Sequence, residues 1–332
     1  MMKVAVIGAG LAGLTAAREL KKHDVNVQVF EKSRGIGGRL STKRLDWAQI
    51  DIGAQYFTVR DARFHQQVQE WKEQGVVDIW DFTPYRLKGS QLLKSPDDTL
   101  RYVGTPKMNA MAHALAKDID ITFSTRITSL NHNSRGWQLN AETDSHSQRV
   151  ESYFDAVVVA IPAEQSSLLL EQTALSEQLP LSVHEPCWAL AVSTLGKVPQ
   201  AIQGIFGDFS VSWVSRLSSK PHRIPPNQAD DLWMLHFSSE WSETNDKQTC
   251  IDIKQFGLDW LSKALEAYID KPLKSINHYE HYWRYARFKE NHQDSFLLAD
   301  PDSKIIAIGD WSQGGRVEGA YLSALNVVQS LL

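Results

Sequence analysis

Short apolar runs broken by glycine alternate with helical patterns at both ends of the chain, while its middle alternates apolar and polar residue by residue. Lys3 to Ile7 (KVAVI) predicts a buried strand, Leu11 to Leu20 a helix, and Asn26 to Phe30 (NVQVF) a second strand. This order predicts a βαβ unit with parallel strands. Ile121 to Leu130 and Trp137 to Ala141 predict further strands, and FDAVVVAI from Phe154 to Ile161 predicts a buried one ending before Pro162. Near the end, Lys304 to Ile308 predicts a strand. Gly314 and Gly315 then open a helix whose Val317, Leu322, Leu325 and Val328 fit one buried face. Residues 166–295, rich in tryptophan, carry the alternating stretches CWALAVSTL and DLWMLHFSS, which predict a sheet, with Ile251 to Ile269 as a helix packed on it.

Glycine gives the opening βαβ unit its chemistry. Gly8, Gly10 and Gly13 form G-x-G-x-x-G between the first strand and the helix, so backbone around Leu11 and Ala12 can approach an anion at the helix N-terminus. Alone, the triplet could equally be a tight packing turn. Here Glu31 ends the second strand 31 − 13 = 18 positions after the last glycine, close to the ~20 expected of a carboxylate that accepts from a ribose hydroxyl. With strand, glycines, helix, strand and acid in register, the pattern predicts a dinucleotide site.

The stretch EKSRGIGGRLSTKR, residues 31–44, then places five cations and three more glycines directly after that acid. In isolation it would be a solvated basic loop. Beside the fingerprint it predicts a second loop over the same pyrophosphate, with Lys32 beside Glu31, bare backbone at Gly38, and Arg39 able to fork onto phosphate oxygens. At the far end, Asp310 at a strand's carboxyl end suits a sugar-like hydroxyl. N–H groups near Val317 and Glu318 offer positive potential to a ring carbonyl. The plainer alternative there is a capped C-terminal helix.

Composition narrows the class. A chain of 332 residues, 42% hydrophobic, is long enough for one large or two smaller domains with a sizeable core. The formal charge of -4 arises from well-mixed acids and bases, so no global field recruits nucleic acid or an anionic membrane. Cys187 and Cys250 lie far apart, which fits neither a disulfide framework nor zinc, no metal is expected, and a cytoplasmic setting fits best. The apolar VAVIGAGLAGL is broken by glycines at functional spacing and is not expected to be an export signal. No run of about 18 apolar residues predicts a membrane span.

Residues 4–8, 31–39 and 309–320 together resemble the FAD-dependent amine oxidase superfamily, with a Gly-Gly-Arg loop and a Gly-Asp segment before a Glu-Gly-Ala helix start. Within it the chain is most similar to bacterial renalases, through EKSRGIGGRLSTKR, DIGAQYFTVRDARF (51–64), HYWRYAR (281–287) and GDWSQGGRVEGAYLSA (309–324). The resemblance implies an α/β fold with an α+β second domain. A Rossmann-type FAD-binding domain (1–61, 104–165 and 296–332) is interleaved with a mixed or antiparallel-sheet substrate domain (62–103 and 166–295), as in the amine oxidase and p-hydroxybenzoate hydroxylase-like fold. It also implies non-covalent FAD, held by Gly8, Gly10, Leu11, Ala12, Gly13, Glu31, Lys32, Gly38, Arg39, Gln55, Tyr56, Ile127, Asp310, Val317 and Glu318. Neither cysteine neighbours the C-terminal motif, so a cysteinyl-flavin bond is not expected.

Gln55, Tyr56, His236, Trp283 and Arg284 are the candidate catalytic residues, with Tyr285 beside them. On pattern alone, His236 in an alternating strand and Trp283 could be ordinary core residues; the renalase resemblance and the flanking aromatic and basic residues favour a ring-binding pocket. That resemblance implies oxidation of 2-dihydro and 6-dihydro isomers of NAD(P)H to NAD(P)+ by hydride transfer to flavin N5, with O2 reduced to H2O2. A dihydropyridine gives up hydride without losing a proton, so no strong base is required. Arg216, Lys220 and Arg223 in SRLSSKPHR could meet substrate phosphates, but are expected to be a solvated loop. The expected partners are a small dihydronicotinamide and O2, without nucleic acid or membrane, in a monomer or weak homodimer. The alternatives are an amine oxidase or desaturase on the same scaffold, or a non-catalytic FAD-binding redox sensor.

Overall fold

A computed structural model describes residues 1–143, 147–180, 182–247, 249–289 and 296–331. Its first layer is a six-stranded sheet in the order Leu298–Asp300, Ile305–Ala307, Ala156–Val159, Lys3–Ile7, Asn26–Phe30 and Asp120–Thr122. All neighbours are parallel except the outermost, Leu298–Asp300, which runs against Ile305–Ala307. Apolar residues run unbroken through Lys3–Ile7 because both faces of this strand are covered. Val4 and Val6 pack under the helices Leu11–Lys22 and Arg316–Leu331, while Ala5 and Ile7 face a cluster holding Leu130, Leu139 and Leu169. That second cluster is built by the antiparallel strands Thr125–Asn133, Gly136–Thr143 and Ser147–Phe154 and the helix Ala163–Leu169.

A seven-stranded sheet forms the other layer, in the order Lys274–Phe288, His184–Leu195, Asp231–Phe237, Val211–Arg216, Gly204–Phe206, Tyr85–Lys88 and Gln91–Lys94. One face, through Leu190, Val192 and Leu235, is covered by helix Ile253–Ala264. The opposite face, through Ala189, Ala191 and Met234, meets the hairpin of Thr42–Leu45 and Ala48–Asp51 at Ile50 and Ile52. This hairpin joins the two layers and carries the segment that follows it into the space between them.

Three expectations change. The strand expected over Ile121 to Leu130 is two strands: Asp120–Thr122 pairs with Asn26–Phe30, then Ser124 turns with a φ of 48° and Thr125–Asn133 departs to the antiparallel sheet. Backbone groups of Glu31 and Ser33 hold that turn, accepting from Thr125 and Ser124 at 2.9 and 3.1 Å. The helix expected over Ile251 to Ile269 is Ile253–Ala264, because the Asp252 carboxylate caps its start at Gln255 N and a 3₁₀ turn at Glu266–Tyr268 ends the run. The boundary expected after residue 61 is not how the core is shared. Helix Ala62–Glu73 buries Phe64, Val68 and Trp71 in the same cluster as the first and last helices, with the Phe64 and Tyr321 rings 5.2 Å apart. Of that segment, only Tyr85–Lys88 and Gln91–Lys94 join the seven-stranded sheet. In the last helix, Val317, Leu322 and Leu325 pack against the first cluster as expected, whereas the Val328 side chain lies outside the described ones. Among the described residues, no helix is long and apolar enough to cross a membrane.

Candidate active site

One cavity of about 2930 Å³ lies between the layers, lined by Ile127 and Arg126 as well as by Trp213 and Trp283. The two glycine loops on its wall bond directly to each other. Gly37 N donates to Ala9 O at 2.9 Å, and a Cβ on Gly38 would lie 3.4 Å from Gly10 Cα. Gly10 is the N-cap of the first helix and supplies no side-chain cap, so the backbone of Leu11 and Ala12 fronts the cavity at the positive end of the helix. A Cβ at Gly10 would meet nothing within 4 Å. Asn109 is buried on the same wall, with its Oδ1 unpartnered among the described residues.

Most expected site residues line this cavity: Gly8, Gly10, Leu11, Ala12, Glu31, Lys32, Gly38, Arg39, Gln55, Tyr56, Ile127, Asp310 and Val317, with His236, Trp283 and Arg284. Two do not. Gly13 faces the strand, where a Cβ would fall 2.0 Å from Gly8 O; it serves helix–strand packing. Glu318 is buried and turned away, its Oε1 accepting from Arg60 N and Asp61 N at 2.7 and 2.8 Å. Its carboxylate ties the segment after Tyr56 to the last helix.

Several charged groups on the wall are already engaged. Glu31 takes Ala9 N on Oε2 and Ser33 N on Oε1, each at 2.8 Å, so it braces both loops while each oxygen keeps a second lone pair. Burial, and then the charge of Arg126, pull the Lys32 ammonium below its ordinary value. Arg39, expected on phosphate, forks onto Asp310: Nη1 donates to Oδ2 at 2.9 Å and Nη2 to Oδ1. Burial alone would raise the Asp310 pKa, but Arg39 and then His184 outweigh it and hold the carboxyl well below the usual carboxylate range.

Part of the lining is aromatic. The Tyr56 ring meets Trp213 edge to face at 5.4 Å, the Arg101 guanidinium lies 5.4 Å over Tyr56, and Trp283 and Phe206 continue the wall. Ile52 O is a common anchor, accepting from Trp283 Nε1 at 2.9 Å with His236 Nε2 3.5 Å away. Burial pushes the His236 imidazole down to about 4, so it is neutral and a weak base at neutral pH. Arg284 is exposed at the rim. Cys187 also lines the cavity, but burial pushes its thiol up to about 12, which leaves no thiolate.

The solvated basic loop expected at SRLSSKPHR is instead buried ionic structure. Arg216 forks onto Asp231 at 2.5 and 2.6 Å, and Arg223 reaches Asp51 Oδ2 at 2.6 Å. Lys220, buried, lies 3.6 Å from the same oxygen. Lys220 Nζ also donates to Gln55 Oε1 at 2.9 Å, while Gln55 Nε2 donates to the carbonyls of Asp51 and Gly53, which fixes the amide at the cavity wall. Sequence reasoning missed this cluster because the acid that Lys220 and Arg223 share, Asp51, is 220 − 51 = 169 and 223 − 51 = 172 positions away; Trp213 was legible only as tryptophan richness.

These features fit FAD. Bare backbone at an uncapped helix start, lining cations and a buried acid suit a pyrophosphate and a polyol, and the same cavity is lined by aromatic rings.

Comparison with known proteins points the same way. The sequence model for an NAD(P)-binding Rossmann-like domain matches residues 6–71, and that for a flavin containing amine oxidoreductase matches residues 88–332. The chain is 44% identical over 59 residues to a 1-hydroxycarotenoid 3,4-desaturase of Flavobacterium sp. and 42% identical over 52 residues to a 4,4'-diapophytoene desaturase of Staphylococcus aureus. These matches cover 18% and 16% of this chain, and only 12% and 10% of the desaturases. In structure it is similar to an oxidoreductase from Methanosarcina mazei (TM-score 0.70, 14% identity, 99% of this chain and 100% of that one). It is likewise similar to a putrescine oxidase with putrescine bound (TM-score 0.70, 13% identity, 99% and 98% covered). At such identities these structures share the fold.

Proposed function

The chain belongs to the flavin-containing amine oxidoreductase family and is an FAD-dependent oxidoreductase, and from that premise we propose that it is a renalase-like oxidase of 2-dihydro and 6-dihydro isomers of NAD(P)H. The observation that carries this reading is the charge of the cavity. Besides Lys32, Arg34 and Arg126, which sit on the segments assigned to FAD, its wall bears Arg44, Arg60 and Arg284, its acids Glu31, Asp97 and Asp310 are all bonded within the protein, and the whole chain carries a formal charge of -4. Local positive potential in a net acidic protein favours an anionic dinucleotide and disfavours the cation that an amine substrate is at neutral pH.

In this reading Gly10, Leu11, Ala12 and Gly38 hold the pyrophosphate of a non-covalent FAD, with Arg39 beside them. Glu31 and Ile127 lie along the adenosine, and Asp310 and Val317 along the ribityl chain and ring. The flavin-binding unit comprises 1–61, 104–165 and 296–332, with helix Ala62–Glu73 packed on it, and the seven-stranded sheet is the substrate unit. The bound cofactor supplies hydride acceptance at N5 and re-oxidation by O2 with release of H2O2. The chain supplies orientation: Tyr56 and Trp283 bound a slot for a planar ring, Gln55 is held rigid by Lys220, and Arg284 stands at the rim where a substrate phosphate enters. His236 need not take a proton, because a dihydropyridine becomes aromatic by losing hydride alone.

The test is anaerobic mixing of the flavin-loaded protein with 2-dihydro, 4-dihydro and 6-dihydro NAD(P). Bleaching of the visible flavin absorbance by the 2- and 6-isomers, at ~1 to 10³ per second, is expected. Bleaching by primary amines instead would move the protein to the amine oxidase reading, and no rapid bleaching with any donor would leave a redox sensor. Trp283→Ala is expected to raise the half-saturating substrate concentration about tenfold or more while flavin remains bound; flavin loss would sink its placement on the substrate side.

A further inference from the structure

Behind Asp310, away from the cavity, a buried imidazole stands between two carboxylates. The His184 side chain is 0% exposed, and Glu164 clamps it twice, accepting from His184 N on Oε1 at 2.8 Å and lying 2.7 Å from Nδ1 through Oε2. His184 Nε2 is buried without a hydrogen-bond partner among the described residues, and 4.0 Å from Asp310 Oδ1. Among the described residues, the rings of Tyr285 and Phe288 lie steeply inclined to the imidazole, at 6.2 and 6.4 Å between centroids, and Arg39 stands beyond Asp310. The adjacent Glu185 is paired with Arg287 at 3.6 Å. Arg39, Asp310, His184 and Glu164 thus form one line of alternating donors and acceptors, drawn from four chain segments.

We propose that His184 is a positioning residue for FAD: clamped by Glu164, it anchors Asp310 from behind, so that Arg39 can divide its guanidinium between that carboxylate and the cofactor's pyrophosphate. This rests on the flavin reading above. Asp310 is a buried carboxylate, and a buried charge left without a partner is strongly destabilising. If Arg39 were its only counter-ion, each step of Arg39 toward a phosphate would strip Asp310. A shift of about 1 Å closes the 4.0 Å gap to hydrogen-bond length and satisfies the orphan Nε2 at the same time.

The ring serves both carboxylates only when both nitrogens carry hydrogen, as in imidazolium. Burial alone would lower the His184 pKa, but Asp310 and Glu164 outweigh both burial and the repulsion of Arg39 and raise it above the ordinary 6.5. The contribution is therefore present below 6.5 and is lost as pH rises through the raised value.

The experiment is titration of the flavin-stripped protein with FAD, followed by flavin fluorescence, from about pH 6 to about pH 9. Wild type is expected to bind more weakly as pH rises through that range. His184→Gln, which keeps an amide donor without charge, is expected to bind about tenfold more weakly at the acid end and to lose the pH dependence. If His184→Gln keeps the wild-type affinity and pH profile, the proposal is overturned. Should that variant not fold, Glu164→Gln reads the same link: its loss of FAD affinity is expected at lower pH than in wild type, and an unmoved midpoint counts against the role. A wild-type protein that takes up no FAD at any pH would instead overturn the flavin reading itself, and this inference with it.

Discussion

Lys220 shows how much a single residue's burial changes its meaning. Read in SRLSSKPHR it belongs with solvated cations; in the fold it is enclosed, 2.9 Å from Gln55 and 3.6 Å from Asp51, and burial pushes its ammonium down to about 7. Because the folded value lies below the ordinary 10.5, the unfolded chain holds the extra proton between about 7 and 10.5, and the lysine makes stability rise with pH across that window. Lys220→Met is expected to flatten that rise in urea unfolding measured at several pH values, and an unchanged slope would mean that the lysine is not enclosed. Asp51→Asn, which leaves Lys220 and Arg223 without their carboxylate, is expected to cost ~3–5 kcal/mol in the same measurement.

At the scale of elements, the fingerprint glycines divide by what their missing side chains permit. Gly13 lets the helix Leu11–Lys22 lie on the first strand, since a Cβ there would fall 2.0 Å from Gly8 O and 3.2 Å from Ala160 Cβ. Gly10 faces open cavity. Gly13→Ala is therefore expected to destabilise the protein by ~1–3 kcal/mol or more with or without FAD. Gly10→Ala should leave the unfolding free energy of flavin-free protein nearly unchanged, within about 1 kcal/mol, yet weaken FAD binding at least tenfold. Equal effects of the two on stability would contradict this division. The strand–helix–strand at 3–30 was legible residue by residue because its pattern, glycines and acid are all local. The break at Ser124 was not, because the groups that turn the chain there, the backbones of Glu31 and Ser33, are about ninety positions earlier.

For the whole molecule, the cavity lies between two layers that share the hairpin at 42–51, so a ligand filling it touches both. FAD at a hundredfold excess over its Kd is expected to add ~2.7 kcal/mol to global stability and to move the unfolding of both layers together. Calorimetry checks this: two separate transitions, with only one shifted by FAD, would mean that the layers unfold independently. The positive cavity in a net acidic chain belongs to the same scale. The stretch 31–44 supplies only part of that field; Arg60, Arg126 and Arg284, from distant segments, complete it around the same cavity.

By itself the sequence determined the paired strands, the first helix, the two glycine loops and the acid that closes the unit, since each depends on neighbours within a few dozen residues. Most of the site residues it indicated line the cavity. Only the tertiary structure decided which charges are spent inside the protein: Arg39 on Asp310, Glu318 on the backbone of Arg60 and Asp61, Lys220 and Arg223 on Asp51, and His184 between two acids. An ion pair is fixed by distance in space and by the water excluded around it, and neither is written in the order of residues along a chain.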